Sequence, residues 1–85
     1  MNQEDNSWLS KKELNSLLEL PDHLRKTELA ILKAGYADAE LVAGYTKRER
    51  AVESSYLNIL KVMGRIEKKR VGKRTYFFVK NDNLV

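Results

Sequence analysis

Cysteine is absent from this sequence of 85 residues, and histidine occurs once, at His23. Without cysteine the chain can form no disulfide and offers no thiolate to a metal ion, and this absence fits a reducing, intracellular compartment. Metal sites need several clustered ligands, so we expect His23 to lie in solvent near a helix N-terminus rather than to bind a metal. The sequence predicts no cofactor.

Motifs of enzymes and of membrane proteins are also missing. There is no Gly-rich phosphate loop, nucleophile elbow or zinc-protease motif, and a chain of this length is short for a deep catalytic cleft. No apolar run approaches the roughly 20 residues that cross a bilayer, and the start, MNQEDNSW, lacks the layout of a signal peptide. We therefore expect a protein that is not an enzyme, does not bind membranes and lies in the cytoplasm, or in the host cytoplasm if it is viral.

Charge is distributed unevenly along the chain, whose formal net charge is +4. Residues 1–46 carry five Lys or Arg and eight Asp or Glu, which gives a net charge of −3. Residues 47–80 carry eleven Lys or Arg and three Asp or Glu, which gives +8, and Asp82 adds −1. A basic half of this kind predicts binding to a polyanion, with nucleic acid favoured over an anionic membrane surface.

Two helices are predicted in the acidic half. Ser10 and Glu13 form a capping-box pattern ahead of a first helix over 11–20, which a proline ends. A second helix begins at Asp22 and stops at Gly35. A candidate dimer interface consists of the apolar residues on and before the first helix: Trp8, Leu14, Leu17 and Leu18. These residues have three interpretations, namely packing on the domain's own core, dimerisation, or binding to a partner protein.

A short third helix and a long fourth helix follow. The third is predicted over 39–43, with Gly44 as its stop, after a brief extended piece. The fourth is predicted over 47–63 with Thr46 and Glu49 as its capping box. The arc predicted to face the core holds Val52, Tyr56, Leu57, Ile59, Leu60 and Met63. The opposite arc is basic and rich in hydroxyl groups: Lys47, Arg50, Ala51, Ser54, Ser55, Asn58 and Lys61.

The stretch IEKKRVGKRTYFFV, residues 66–79, predicts a β-hairpin. Gly72 and Lys73 form its two-residue turn, because glycine supplies the positive φ that the first central position needs. Alternation along the second strand places Thr75, Phe77 and Val79 on one face, and Tyr76 and Phe78 on the other. In so small a domain we expect the three aromatic residues to pack in the core rather than to stack on bases.

This order of elements resembles a winged helix-turn-helix domain over roughly residues 22–80. TELAILKAG is similar to the first helix of that fold, AELVAGYTKRE to its second helix and turn, SSYLNILKVMGRIEKK to its recognition helix and first wing strand, and GKRTYFFV to the return strand. The resemblance implies a mostly α, α+β fold, with a three-helix core, a C-terminal β-hairpin wing and here an extra N-terminal helix. The domain would span 10–80, between a flexible start at 1–9 and a tail at 81–85.

The resemblance also implies double-stranded DNA as the partner, with helix 47–63 in the major groove and the wing on the backbone or minor groove. The residues agree, because Lys and Arg displace counterions from phosphates and short polar groups near a helix N-terminus read base edges. The recognition-helix residues would be Lys47, Arg48, Arg50, Ala51, Ser54, Ser55, Asn58 and Lys61. The wing residues would be Lys68, Lys69, Arg70, Lys73 and Arg74.

Within this interface, Arg50 is assigned to guanine, Ala51 to a thymine methyl group, and Lys47, Arg48 and Lys61 to phosphates. The hypothesis is a sequence-preferring transcriptional regulator, acting as a homodimer without a small-molecule effector, from a compact viral or plasmid genome. The alternatives are a protein-interaction module that uses the N-terminal helix, or RNA binding through the wing. The basic surfaces can also serve only solubility, as solvated faces and protected sheet edges do.

Overall fold

The computed structural model describes residues 8–80, so the predicted tail and most of the predicted flexible start lie outside the described residues. The elements are α1 (Lys11–Leu18), α2 (Asp22–Ala34), β1 (Tyr36–Ala37), α3 (Ala39–Thr46), α4 (Arg50–Val62), β2 (Ile66–Val71) and β3 (Arg74–Val79). The strands form one antiparallel sheet in the order β1-β3-β2. The winged helix-turn-helix fold with an extra N-terminal helix is confirmed. Within the described residues, no helix is long and apolar enough to cross a membrane.

Local signals set the beginning of α1 and the end of α2 as predicted. The Ser10 hydroxyl accepts a hydrogen bond from the N–H of Glu13 at 3.0 Å, and the Glu13 carboxylate accepts one from the N–H of Ser10 at 2.9 Å, which completes the capping box. Gly35 follows α2 with a φ of +86°, a conformation that favours glycine. α1 ends at Leu18 rather than at Leu20, because the residue before a proline disfavours helical geometry.

α3 is longer than predicted. Its expected stop at Gly44 is wrong, because the helix continues through this residue to Thr46, and a single glycine is tolerated inside a helix. The stop comes from Lys47, whose φ of 63° is left-handed and whose N–H donates to the carbonyl of Ala43. The turn of the helix-turn-helix therefore begins later in the chain than the position of the glycine indicates.

α4 is shorter than the predicted helix 47–63, since it begins at Arg50 and ends at Val62. Its N-cap residue is Glu49, which makes no side-chain capping hydrogen bond. The predicted capping box of Thr46 and Glu49 is therefore wrong. Thr46 is instead the buried last residue of α3, and its hydroxyl donates to a carboxylate of α4.

The hydrophobic core lies between the helices and the sheet. Its buried members are Leu17, Leu20, Leu24, Ala30, Ile31, Ala37, Ala39, Val42, Leu57, Leu60 and Ile66. On α4 the predicted apolar arc is partly wrong, because Val52, Ile59 and Met63 are 37%, 41% and 51% exposed. The buried face of α4 is rotated away from them, toward the side of the helix that carries Glu53.

A buried carboxylate fixes that rotation. Glu53 is 0% exposed, and its Oε1 accepts a hydrogen bond from Oγ1 of Thr27 at 2.6 Å. Its Oε2 accepts hydrogen bonds from Oγ1 of Thr46 at 2.5 Å and from Nη1 of Arg48 at 3.0 Å. A buried charge requires pairing and hydrogen bonding. These partners therefore join α2, the end of α3 and the following turn to α4 through one side chain.

Arg48 closes the turn between α3 and α4. Its Nη1 also donates to the carbonyl of His23 and to the hydroxyl of Thr27, each at 3.1 Å. Its guanidinium lies 5.1 Å from the centroid of the Tyr56 ring, a cation–π distance. The Tyr56 and His23 rings are in turn 4.9 Å apart. His23 is exposed near the beginning of α2, as predicted.

α1 packs on its own domain. Leu17 and Leu20 are 2% and 3% exposed and belong to the core. Arg25 of α2 holds this segment by donating from Nε to the carbonyl of Leu17 at 3.1 Å and from Nη2 to the carbonyl of Leu20 at 2.8 Å. Leu17 is thereby removed from the candidate dimer interface, whereas Leu14 and Leu18 remain exposed.

Arg65, between α4 and β2, joins α1 to α2. Its Nε and Nη2 donate to the two carboxylate oxygens of Glu28 at 2.7 and 3.2 Å, a bidentate pair. Nη2 also donates to the hydroxyl of Ser16 at 2.7 Å and to its carbonyl at 3.1 Å. The Arg65 carbonyl accepts a hydrogen bond from the N–H of Lys80 at 3.1 Å, at the end of the wing.

Replacement of Glu53 by alanine should destabilise the domain by about 3–5 kcal/mol, because it leaves a half-buried cation and two buried hydroxyls without their common acceptor. Urea unfolding followed by circular dichroism measures this change. Glu49→Ala is the matched control, since that carboxylate makes no capping hydrogen bond and should change stability by less than about 0.5 kcal/mol. Equal effects of the two substitutions would contradict the structural role of Glu53.

Candidate nucleic-acid interface

One face of α4 presents the polar residues that the sequence assigns to base reading. Because Glu53 points into the domain, the opposite side of the helix faces solvent. The exposed members of the predicted set on this helix are Arg50, Ala51, Ser54, Ser55 and Asn58. Lys61 is half-buried at the edge of this face. We call these exposed residues the α4 face.

The structure separates the two cations of the turn before α4. Lys47 is exposed and ends α3. Arg48, predicted to contact phosphate, instead turns its guanidinium inward, where its side chain is 22% exposed and is paired with Glu53. Both residues are basic and adjacent, so the sequence pattern contains no signal that distinguishes them.

β2 and β3 form the wing as a tight hairpin. Val71 pairs with Arg74, so Gly72 and Lys73 make the predicted two-residue turn. Gly72 has a φ of +62°, which its position in the turn requires. All of the predicted wing residues are exposed: Lys68, Lys69, Arg70, Lys73 and Arg74.

One face of β3 anchors the wing to the helices. Phe77 and Val79 pack against the core, and strand alternation directs Tyr76 and Phe78 to the other face. There Tyr76 meets the ring of Tyr36 edge-on, with centroids 5.7 Å apart. Phe78 is 36% exposed. The expectation that all three aromatic residues pack in the core therefore holds for Phe77 alone and is wrong for Tyr76 and Phe78.

A cleft of about 530 Å³ lies between the α4 face and the wing. Its lining residues are Asp38, Ala39, Glu40, Arg50, Ser54, Lys68, Lys73, Arg74, Thr75 and Phe77. The cleft brings Arg50 and Ser54 of α4 together with three wing cations. The two sets of residues that the sequence singles out thus meet in one place, although neither set predicts the shape of the cleft.

Two carboxylates at the beginning of α3 also line the cleft, and sequence reasoning missed them as part of the site. Asp38 is the N-cap of α3, where its Oδ1 accepts a hydrogen bond from the N–H of Leu41 at 2.8 Å. Its Oδ2 accepts a second from Nη1 of Arg74 at 2.6 Å, and Glu40 lies 3.9 Å from that nitrogen. The sequence predicts the cap, but 36 positions separate Asp38 from Arg74.

These contacts lower the pKa of Asp38 and raise the pKa of Arg74. The N–H of Leu41 stabilises the carboxylate and holds the pKa of Asp38 below its ordinary value of 3.8; partial burial opposes this effect and Arg74 reinforces it. The hydrogen bond from Arg74 to Asp38 raises the pKa of the Arg74 guanidinium. Both groups are therefore charged at neutral pH.

In sequence, the chain matches no family model. It is 43% identical to an uncharacterized protein of Archaeoglobus fulgidus over 61 residues, which are 72% of this chain and 82% of that protein. A match of this length and identity extends over most of both chains.

Three solved structures have similar folds. The AntR antimony-specific transcriptional repressor has a TM-score of 0.65 at 16% identity, covering 89% of this chain and 73% of that chain. BpsR of Bordetella bronchiseptica, whose DNA binding is regulated by 6-hydroxynicotinic acid, has a TM-score of 0.68 at 12% identity, covering 95% and 70%. A homodimeric winged helix-turn-helix DNA-binding domain of Mycobacterium bovis, a possible ArsR-family regulator, has a TM-score of 0.60 at 23% identity, covering 93% and 75%.

The depressed pKa of Asp38 predicts a pH-dependent contribution to stability. A carboxyl group whose folded-state pKa is lowered contributes stability that is present above its unfolded pKa and is lost as the pH falls through its folded pKa. The difference in unfolding free energy between wild type and Asp38→Asn should therefore be constant above about pH 5 and shrink below about pH 4. Urea titrations at a series of pH values measure it, and a difference that does not change down to about pH 3 would refute the prediction.

Proposed function

We propose that this chain, which belongs to one family with the Archaeoglobus protein and has the winged helix-turn-helix fold of the three solved structures, is a sequence-preferring double-stranded DNA-binding protein that regulates transcription. The observation that carries this proposal is the cleft where Arg50 faces the cations of the wing. Duplex DNA carries one charge per roughly 1.7 Å of helix axis. A helix in the major groove and a wing beside it would therefore both meet closely spaced phosphates.

In this proposal the α4 face enters the major groove. Arg50 is the first residue of the helix and is exposed, which allows a bidentate contact to guanine. Ser54, Ser55 and Asn58 offer shorter groups to base edges or phosphates, and Ala51 offers a methyl group to thymine. The N-terminal part of a recognition helix is the part that approaches bases.

The phosphate contacts come from the wing and from the ends of the helices. Lys68, Lys69 and Arg70 are exposed along β2 and Lys73 in the hairpin turn, and Lys47 and Lys61 flank the α4 face. Arg48 is left out of the proposed interface, because its guanidinium is engaged with Glu53, Thr27 and His23 inside the domain.

The same proposal includes a homodimer, since a pair of domains doubles the contacts and matches two half-sites. Trp8, Leu14 and Leu18 are 46%, 39% and 58% exposed on the N-terminal segment. Leu14 and Leu18 are one helical turn apart on α1. Exposed apolar patches mark interaction surfaces, and the similar domain of Mycobacterium bovis is homodimeric. The cytoplasmic location, the viral or plasmid origin and the absence of an effector remain predictions.

Binding to a random-sequence duplex should weaken steeply with salt. Each domain has six proposed phosphate contacts, four from the wing and two from the flanking lysines, which predict a slope of about −5 per bound domain in a plot of log K against log salt. Fluorescence anisotropy between about 50 and 300 mM KCl measures the slope. No binding at low salt, or a flat slope, would refute DNA binding, and a structured RNA that outcompetes the duplex would favour the alternative of RNA binding.

Arg50→Ala and Lys73→Ala should affect binding differently. The first removes a base contact, so it should cost about 1–3 kcal/mol on a selected site and relax sequence preference. The second removes a phosphate contact, so it should weaken all duplexes alike and reduce the salt slope by about 1. Sites selected from random duplex DNA provide the test, and identical effects of the two substitutions would contradict the assigned roles.

The double substitution Leu14→Glu, Leu18→Glu should yield a monomer, because it places two carboxylates in the proposed apolar interface. Sedimentation equilibrium measures the mass, and Leu41→Glu, at an apolar residue of α3 that is 47% exposed, is the control that should leave the dimer intact. A wild-type monomer at all concentrations would exclude the dimer. If the α1 surface instead binds another protein, the double substitution should abolish that complex while wild type remains monomeric.

A further inference from the structure

We propose that Asp38 is an internal counter-anion of the wing, which holds Arg74 as a DNA phosphate would and thereby positions the wing and limits binding to DNA of any sequence. The inference rests on the proposed DNA binding and adds a positioning residue to it. Its basis is the arrangement of one carboxylate between a helix N-terminus and the exposed turn of a basic hairpin.

The two oxygens of Asp38 perform separate functions. Oδ1 accepts the N–H of Leu41 and caps α3, while Oδ2 accepts Nη1 of Arg74 at 2.6 Å. The Asp38 side chain is 17% exposed, whereas that of Arg74 is 61% exposed. The carboxylate is thus the fixed member of the pair, and much of the guanidinium remains open to solvent, where a phosphate can approach.

The position of the pair makes it a link between the wing and the helices. Ala37, which directly precedes Asp38, pairs with Phe77 in the sheet. Arg74 lies at the other end of β3, next to the hairpin turn. The ion pair therefore holds the turn end of the wing toward α3, and this sets the angle between the wing and the α4 face across the cleft.

Charge in the cleft gives the pair a second effect. Arg50, Lys68 and Lys73 line the same cavity as Arg74, and Arg50 lies close enough to stabilise the Asp38 carboxylate. An arginine already neutralised by a carboxylate releases fewer counterions on meeting DNA than a free arginine does. Asp38 therefore reduces the electrostatic, sequence-independent part of binding and leaves base contacts of the α4 face to decide between sites.

The test is a double-mutant cycle of Asp38→Asn and Arg74→Gln, measured on a random-sequence duplex and on a site selected from random DNA. Asp38→Asn should tighten binding to the random duplex about two- to fivefold and steepen the salt slope by up to about 1. The preference for the selected site should fall. In the Arg74→Gln background, Asp38→Asn should change DNA affinity no more than the removal of a carboxylate far from the cleft does.

Two controls separate this role from a purely structural one. Asn and Ser are both good N-cap residues, so Asp38→Asn and Asp38→Ser should keep α3 capped and act alike on DNA. Asp22→Asn removes an equal charge from an ion pair with Arg25 on α2, outside the cleft lining. Circular dichroism checks that each variant is folded.

Three results would overturn the inference. The first is that Asp38→Asn changes DNA binding no more than Asp22→Asn does. The second is that Asp38→Asn changes DNA binding equally in the presence and absence of Arg74. The third is that the salt slope and the site preference of Asp38→Asn equal those of wild type. Failure of the wild-type protein to bind any duplex would overturn the proposed function together with this inference. A wild type that binds with a steep salt slope, beside an Asp38→Asn variant that behaves identically, would overturn the inference alone.

Discussion

The burial of a single carboxylate, Glu53, determines how α4 is oriented. A charge inside a small domain is tolerated only with full pairing, and here its partners come from α2, from the end of α3 and from the turn. Each partner restricts the rotation of α4 about its own axis. For this reason the polar side chains of the α4 face point to solvent. The same orientation leaves four large apolar residues in or next to α4 exposed: Val52, Ile59, Val62 and Met63.

Features that depend on neighbouring residues could be predicted from the sequence. The capping box of α1, the glycine after α2 and the hairpin turn at Gly72 follow from local backbone chemistry, and the structure has all of them. The beginning and rotation of α4 could not be predicted in this way. A helical wheel assigns a glutamate to solvent. Glu53 is buried instead because it accepts a hydrogen bond from Thr27 of α2, which is 26 positions away in the chain, and the wheel contains no information on so distant a partner.

The same distinction applies to the candidate site. Arg50 and the wing cations could be singled out by charge and by the order of elements, and they do line one cleft. The inward turn of Arg48 and the ion pair of Asp38 with Arg74 could not, because each depends on tertiary packing that brings distant residues within hydrogen-bonding distance. Two carboxylates, Asp38 in the acidic half and Glu53 in the basic half, therefore shape the basic surface, and a count of Lys and Arg along the chain overstates the number of cations free to meet a polyanion.

Arg65 has a mechanical consequence for this domain. Its side chain holds Ser16 of α1 and Glu28 of α2, and its carbonyl closes the open end of the wing through Lys80. A tilt of α1 would therefore act on the base of the hairpin through one residue, Arg65. In an assembly built on the exposed residues of α1, this residue would work as a rigid joint, so that the distance and angle between two wings are set at the subunit contact and not by flexing of each hairpin.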